Sequence, residues 1–204
     1  MNHAPASFAV KFDVAHLQML ADAYQYADDH EVEHVIAPAA KQRGHFTKDE
    51  FQRLCRWKTA RSRSRVASNP AALVEEVTRI ALSTPDEELR IRVLTLLKGV
   101  SWPTASVVLH FAHREQYPIL DFRALWSLGS EPPSQYTFEF WSSYVRFCRE
   151  LAVKTGVSMR TLDRALWQYS KTKQPGEATM SFCVNPAGST ASVRNVSLNA
   201  GNQT

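Results

Sequence analysis

Apolar positions recur at three- and four-residue intervals along most of the chain, the spacing of helices that bury one face. Asp13 is placed to cap a helix running through Ala27, with Val14, Leu17, Leu20, Ala21 and Tyr24 on one side. His30 to Ala40 reads as a second, poorer helix broken around Pro38, whose ring and missing N–H interrupt the backbone ladder. Thr47 and Glu50 fit a capping box ahead of Phe51, Leu54, Cys55 and Trp57, with Trp57 read as core. Asn69-Pro70 reads as a cap with proline at the first helical position, opening a helix that turns Leu73, Val74, Val77, Ile80 and Ala81 inward. Thr84-Pro85 repeats that device for a helix carrying Leu89, Val93, Leu96 and Leu97 and ending at Gly99.

The pattern continues in the second half. A helix is expected over Thr104 to His113, and Asp121 caps a short one from Phe122 to Leu128, closed by Gly129. Pro132 and Pro133 mark a loop. Thr137 opens a helix through Lys154 and Ser158 a last one through Ser170, with Phe140, Tyr144, Phe147, Leu151 and Leu162, Ala165, Leu166, Tyr169 as their core stripes. No segment before residue 174 alternates with period two, so the fold class is all-α. Residues 1–173 form one helical domain of one or two lobes. From Gln174 the chain turns to Ser, Asn, Gly, Thr and Ala, too polar to offset its ordering entropy, and residues 174–204 are expected to be a disordered tail.

Composition sharpens this only slightly. Of 204 residues 44% are apolar, enough for one good-sized core, and the net charge of +4 is a mild bias toward polyanions. The cysteines Cys55, Cys148 and Cys183 lie far apart and form no CxxC pair, which removes zinc-ribbon and iron–sulfur readings; Cys55 and Cys148 look like reduced core thiols. No apolar run is long enough to span a bilayer and the first residues lack an export pattern. A cytoplasmic protein without membrane contact is expected.

The most informative stretch is Leu97-Lys98-Gly99-Val100-Ser101-Trp102-Pro103-Thr104-Ala105, followed by Tyr117-Pro118-Ile119-Leu120-Asp121. A leucine-rich helix stops at a glycine turn, a new helix starts at once, and the chain then delivers one carboxylate. Gly99 lets the backbone approach a phosphate without a Cβ clash, the peptide N–H groups around Val100 to Trp102 can donate to it, and the start of the second helix favours negative charge. Lys98 adds a positive charge.

Residues Leu94 to Gly129, about a fifth of the chain, resemble the helix-hairpin-helix core of the DNA glycosylase superfamily, which includes endonuclease III and the alkyladenine glycosylases. The resemblance rests on Gly99-Val100-Ser101, Thr104-Ala105 and Asp121. It implies binding of damaged or mismatched duplex DNA through Lys98, Gly99, Val100, Ser101, Trp102, Thr104 and Arg123. It assigns Asp121 the stabilisation of charge at the sugar C1′ as an extruded base leaves. Arg123 either contacts DNA or pairs with Asp121. The departures matter. Pro103 stands where bifunctional members carry a Schiff-base lysine, Ser101 replaces the second glycine, and the cysteine quartet of endonuclease III is absent. The expected enzyme is therefore a monofunctional glycosylase needing no cofactor or metal; the alternative is a non-catalytic DNA-binding module.

Other sites compete. Arg53, Arg56, Lys58, Arg61, Arg63 and Arg65 form a basic run, with Arg61 to Arg65 expected as a loop that either reaches phosphates or is simply solvated. Trp57 within it offers a ring for base stacking as an alternative to core packing. His30-Glu31-Val32-Glu33-His34 matches the HExxH pattern of zinc hydrolases, with Glu50 a conceivable third ligand, although Pro38 and the lack of a long apolar helix argue against it. The plainer reading leaves those histidines and Glu31 and Glu33 in solvent. His110 and His113 share one face as surface or satisfied core residues. Arg160 and Arg164 face solvent or an acidic partner.

Overall fold

The computed structural model describes residues 7–26 and 29–175, and all regular structure among them is helical. The chain divides after Gln174. The expected tail lies outside the described residues apart from its first two positions. No described helix is long and apolar enough to cross a membrane.

Eleven α-helical segments follow one another among the described residues. They are α1 (Leu17–Asp22), α2 (Asp29–Glu31), α3 (Ala37–Arg43), α4 (Lys48–Lys58), α5 (Arg63–Ala67), α6 (Ala71–Ser83), α7 (Glu87–Leu94), α8 (Trp102–Ala112), α9 (Phe122–Ser127), α10 (Phe138–Thr155) and α11 (Met159–Lys173). The core is filled by Trp141, Tyr117, Tyr144, Phe46, Phe51 and aliphatic side chains from nearly every helix. Helix α11 packs on α1, α9 and α10, and α8 packs on α3, α4, α6 and α7. Residues 9 and 11 run extended beside the end of α9, the Ala9 and Lys11 amides donating to the Leu128 and Ser127 carbonyls.

Several boundaries depart from the sequence expectation, each for a local reason. Asp13 caps a single 3-10 turn, and α1 ends at Asp22 rather than Ala27, which releases Tyr24 and Tyr26 from helical register; Val14 is exposed. Pro38 does not break its helix. A π turn over Val32–Ile36 joins α2 to α3, the Ala37 amide bonding back to the Val32 carbonyl, so the wide turn sits just ahead of the proline. At both X-Pro steps the cap moves. Pro70 itself is the N-cap of α6, and Asp86, not Thr84, caps α7 by accepting from the Leu89 amide at 2.6 Å. The Arg61–Arg65 stretch is not a loop but a 3-10 turn over Ala60–Ser62 running into α5. The capping box of α4 is present as expected, Thr47 and Glu50 bonding reciprocally.

Asn69, freed from capping, clips the glycine turn to the end of α5. Its side chain accepts from the Lys98 amide (2.8 Å) and donates to the Lys98 carbonyl (3.0 Å) and the Val66 carbonyl (2.9 Å). Gly99 then turns with φ +82°, and a Cβ there would lie 3.0 Å from Arg65 Cβ and from Val66 Cγ2. Gly44 has a similar φ of +79° with open space around it. Gly99→Ala should therefore lower unfolding stability by about 2–4 kcal/mol, the left-handed strain plus a collision, and Gly44→Ala by only about 1–2 kcal/mol. Urea unfolding midpoints of the two variants, compared at equal m-value, check this; equal losses would show that the hairpin does not press on α5.

Candidate functional site

The approach to Asp121 is held bond by bond. From Tyr117 to Asp121 the chain has no helix or strand, and α8 and α10 fasten it. His110 Nδ1 lies 2.6 Å from the Tyr117 carbonyl, Tyr144 donates to the Ile119 carbonyl at 2.8 Å, and the Leu120 amide donates to Ser106 Oγ at 2.8 Å. Burial, with the nearby Arg160 charge, drives the His110 imidazole down to about 3. It is therefore neutral, and its Nδ1–H donates. His110 is a satisfied interior histidine, and so is His113, which is buried with its Nδ1 accepting from the Glu115 amide.

Asp121 caps α9, Oδ1 accepting from the Arg123 amide at 2.9 Å, as its position before a short helix suggests. Its other oxygen is ion-paired with Lys58 Nζ, brought from the end of α4. Both side chains keep only about 15% exposure (14% for Lys58, 15% for Asp121). Burial works to raise the Asp121 carboxyl, but the Lys58 ammonium, the Arg123 amide and the Arg123 charge outweigh it and hold the group below the usual carboxylate range. The basic run thus yields a lysine for the acid, from a helix remote in sequence. Pro103, where the resemblance would put a lysine, lies in the first turn of α8.

Asp121 and Lys58 lie in a cleft lined also by Tyr24, Tyr26, Trp57, Ile119, Asp163 and Trp167. The rings meet mainly edge to face: Tyr24 on Trp167 at 5.1 Å, Tyr26 on Trp57 at 5.7 Å and on Trp167 at 6.3 Å. Trp57 packs half-buried against the core, beside Phe111, as its spacing suggested, and also walls the cleft, where its Nε1 donates to Asp29 at 3.1 Å. The free space is about 60 Å3, far below the roughly 300–1,000 Å3 of pockets that enclose drug-sized molecules. Tyr24 and Tyr26 also border an open depression of about 590 Å3 with Gln25, Asp29 and Arg164. Of the four rings only Tyr26 is exposed, at 42%.

An ionic cluster lies beside this cleft. Arg160 donates from Nη2 to Asp29 (2.5 Å), from Nε to Glu33 (2.6 Å) and from Nη1 to Asp163 (2.5 Å). Arg164 Nη2 reaches Asp29 at 3.2 Å and Glu33 at 2.8 Å. Glu33 therefore faces inward, contrary to the solvent reading, while Arg160 and Arg164 do have acidic partners. His30 and His34 are exposed with ring centroids 4.7 Å apart, and Glu31 pairs with Arg53. Glu50 is engaged by Arg43 and Thr47. Among the described residues no three groups of metal-ligating type come together, and the HExxH reading has no third ligand.

The hairpin residues are placed as follows. Lys98 is exposed, but its amide is taken by Asn69. The Val100 amide closes the turn onto the Leu97 carbonyl at 3.1 Å and its side chain is buried, so Val100 has no group free for a phosphate. Thr104 is buried. The amides of Gly99 and Ser101 have no acceptor among the described residues, and Ser101 gives α8 no side-chain cap; Pro103 has no N–H and the Ala105 amide bonds the Ser101 carbonyl, so Trp102 and Thr104 carry the first-turn amides left without an intrahelical acceptor. Trp102 is half-buried against Trp141 and under Arg92. Arg123 lies over Phe122 and Trp167, each at 5.2 Å, rather than projecting alone.

Sequence reasoning missed Lys58 as the partner of Asp121, and Tyr24, Tyr26, Trp167 and Asp163 as cleft walls. One signal was readable: Arg160, Asp163 and Arg164, spaced three and four apart, share a helix face with Trp167. The chain matches no protein-family model, no curated protein and no solved structure.

Removing the Lys58 charge leaves Asp121 without its ion-pair partner. Lys58→Met should move the Asp121 carboxyl upward in a carbon-detected NMR titration and cost about 3 kcal/mol of stability at neutral pH, the low end for one partner of a buried pair. Because the folded-state carboxyl of Asp121 is depressed, its contribution is present above the unfolded carboxylate value of about 3.9 and is lost as pH falls through the lower folded value. The wild-type excess over Lys58→Met should shrink in that acid limb.

Proposed function

We propose that the protein binds duplex DNA through its glycine hairpin and acts on a base turned out of the stack, with Asp121 stabilising charge at C1′, as a monofunctional DNA glycosylase does. The observation that carries this reading is the Asp121–Lys58 pair in an aromatic-lined cleft. An ionised carboxylate beside stacking surfaces suits a sugar that becomes cationic as a flat ring departs. The hairpin supports it by position. Asn69 clips Lys98 at one end of a short stretch whose other end carries Lys58. Lys58 and Arg65 are seven residues apart, at most about 25 Å even if fully extended, and all but Thr59 between them lie in helical turns, so hairpin and acid share one stretch of backbone.

Charge is distributed to match. Arg61, Arg63 and Arg65 are exposed and have no ion pair among the described residues, whereas Arg43, Arg53, Arg79 and Arg92 all have acidic partners. Together with Lys98 and the available amides of Gly99, Ser101 and α8, they form a surface for a phosphate backbone. The small free volume sets a condition. Admitting a base requires the Tyr26 ring to swing away and join the cleft to the depression it borders.

Binding of lesion-free duplex DNA should weaken steeply with salt, and each of Arg63→Gln and Arg65→Gln should lower the slope of log K against log[salt] by about 1. On duplexes carrying deaminated, oxidised, alkylated or mismatched bases, Asp121→Asn should slow base release at least ~100-fold while binding is retained. Equal rates for wild type and Asp121→Asn would remove the acid from the mechanism. Salt-dependent binding with no product from any duplex would leave the non-catalytic module.

A further inference from the structure

We propose that Asp163 is a second catalytic carboxyl of the cleft, donating the proton that the departing base takes up. The inference rests on the glycosylase reading above and adds the group that handles the leaving base. Asp163 lines the same cleft as Asp121 and Lys58 but comes from a different element, α11, which also carries the cleft ring Trp167. It is 8% exposed. Arg160 holds its Oδ2, and its Oδ1 has no hydrogen-bond partner among the described residues.

Charge counting favours a proton there. In the ionic cluster three carboxylates, Asp29, Glu33 and Asp163, share two guanidiniums, Arg160 and Arg164. The cluster is one negative charge in excess, and a single proton neutralises it. Asp29 accepts four hydrogen bonds, from Tyr24, Trp57, Arg160 and Arg164, and Glu33 accepts two from arginines. Asp163 accepts one, so the proton is held most cheaply on it. The titratable and charged groups coupled to it come from several elements: Arg160 on α11, Lys58 on α4, Asp121 ahead of α9, Tyr24 after α1, and Tyr144 and Cys148 on α10. Burial is the largest influence, and with Asp121 it outweighs Arg160 and Lys58, raising the Asp163 carboxyl to about 6. The two carboxyls of the cleft are thus pushed apart, one down and one up, the division a separate anion and acid require.

The step balances. The C1′–N bond breaks and its electron pair goes to the base, while a base nitrogen takes the proton from Asp163. Asp163 remains as a carboxylate bonded to Arg160, and the cationic C1′ faces the Asp121 carboxylate. Water adds at C1′ and loses a proton to solvent, from which Asp163 is reprotonated. Net, one water is consumed and a neutral base and an abasic sugar are formed.

The test compares two kinds of leaving base. An uncharged purine such as hypoxanthine, with a basic ring nitrogen, needs a proton to leave well; an N7-alkylated guanine is already cationic and does not. Asp163→Asn preserves shape and neutrality, so its folding can be matched to wild type by unfolding midpoint. It should slow release of the uncharged base at least ~100-fold, in the range of a positioned general acid, and release of the cationic base by less than about tenfold. The wild-type rate on the uncharged base should fall as pH rises above about 6, and that limb should be missing in the variant. Equal losses on both bases, or an unchanged rate and pH limb, would overturn the inference while leaving the role of Asp121 standing. Wild-type protein that releases neither base defeats the glycosylase reading itself, and the inference with it. A carbon-detected NMR titration decides independently of activity: Asp163 should titrate near 6, and titration in the usual carboxylate range overturns the assignment.

Discussion

The guanidinium of Arg160 is the fixed point from which the rest of the site is built. Three of its nitrogens bind three carboxylates that belong to α2, the adjoining π turn and α11. Each of those acids would be costly to enclose without a cation, and the cation would be costly without them. The cluster therefore behaves as one polar unit, and where it sits the neighbouring rings must sit too. Tyr24 and Trp57 hydrogen-bond to Asp29 and both lie against the Arg160 plane. The aromatic walls of the cleft are thus oriented by hydrogen bonds rather than by apolar packing alone.

Asp121 is placed by a different and complementary device. Three side chains from α8 and α10 fasten the backbone that leads to it, and Lys58 arrives from α4 to neutralise it. The carboxylate thereby loses the freedom of a surface acid while staying ionised. An acid so held does not reorganise when positive charge develops nearby, the condition under which electrostatic stabilisation is effective. The two arrangements meet in one cleft, where Asp121 is bound to a full positive charge and Asp163 to an overcommitted one.

The helical class, the capping box at Thr47 and the cap at Asp121 were readable from local pattern, because each is decided within a few residues; the helix expected to run to Gly99 instead stops at Leu94, leaving Leu96 exposed in the turns that lead to the glycine. What failed were features set by tertiary geometry. Asn69 looked like a helix cap but spends its amide on Lys98, 29 residues away. Trp57 does pack on the core its spacing pointed to, but its second role, walling the cleft with an indole N–H on Asp29, had no local signal. Glu33 looked solvated because its partners Arg160 and Arg164 are more than 120 residues distant. Lys58 was visible only as one charge in a basic run, since nothing local distinguishes a lysine bound for a buried acid from one in water. Tyr24 and Tyr26 sat at the end of an expected helix that in fact stops at Asp22, and that early stop is what makes them available.

The stretch from Lys58 to Asn69 acts as a spacer of fixed length. One end is tied to the acid, the other to the glycine turn, and between them a 3-10 turn and α5 follow the single extended residue Thr59. Natural variation in loop length is therefore expected to gather elsewhere, for instance between Gly129 and Thr137. A residue gained or lost within the spacer would rotate α5 by about 100° and disengage one of its two attachments.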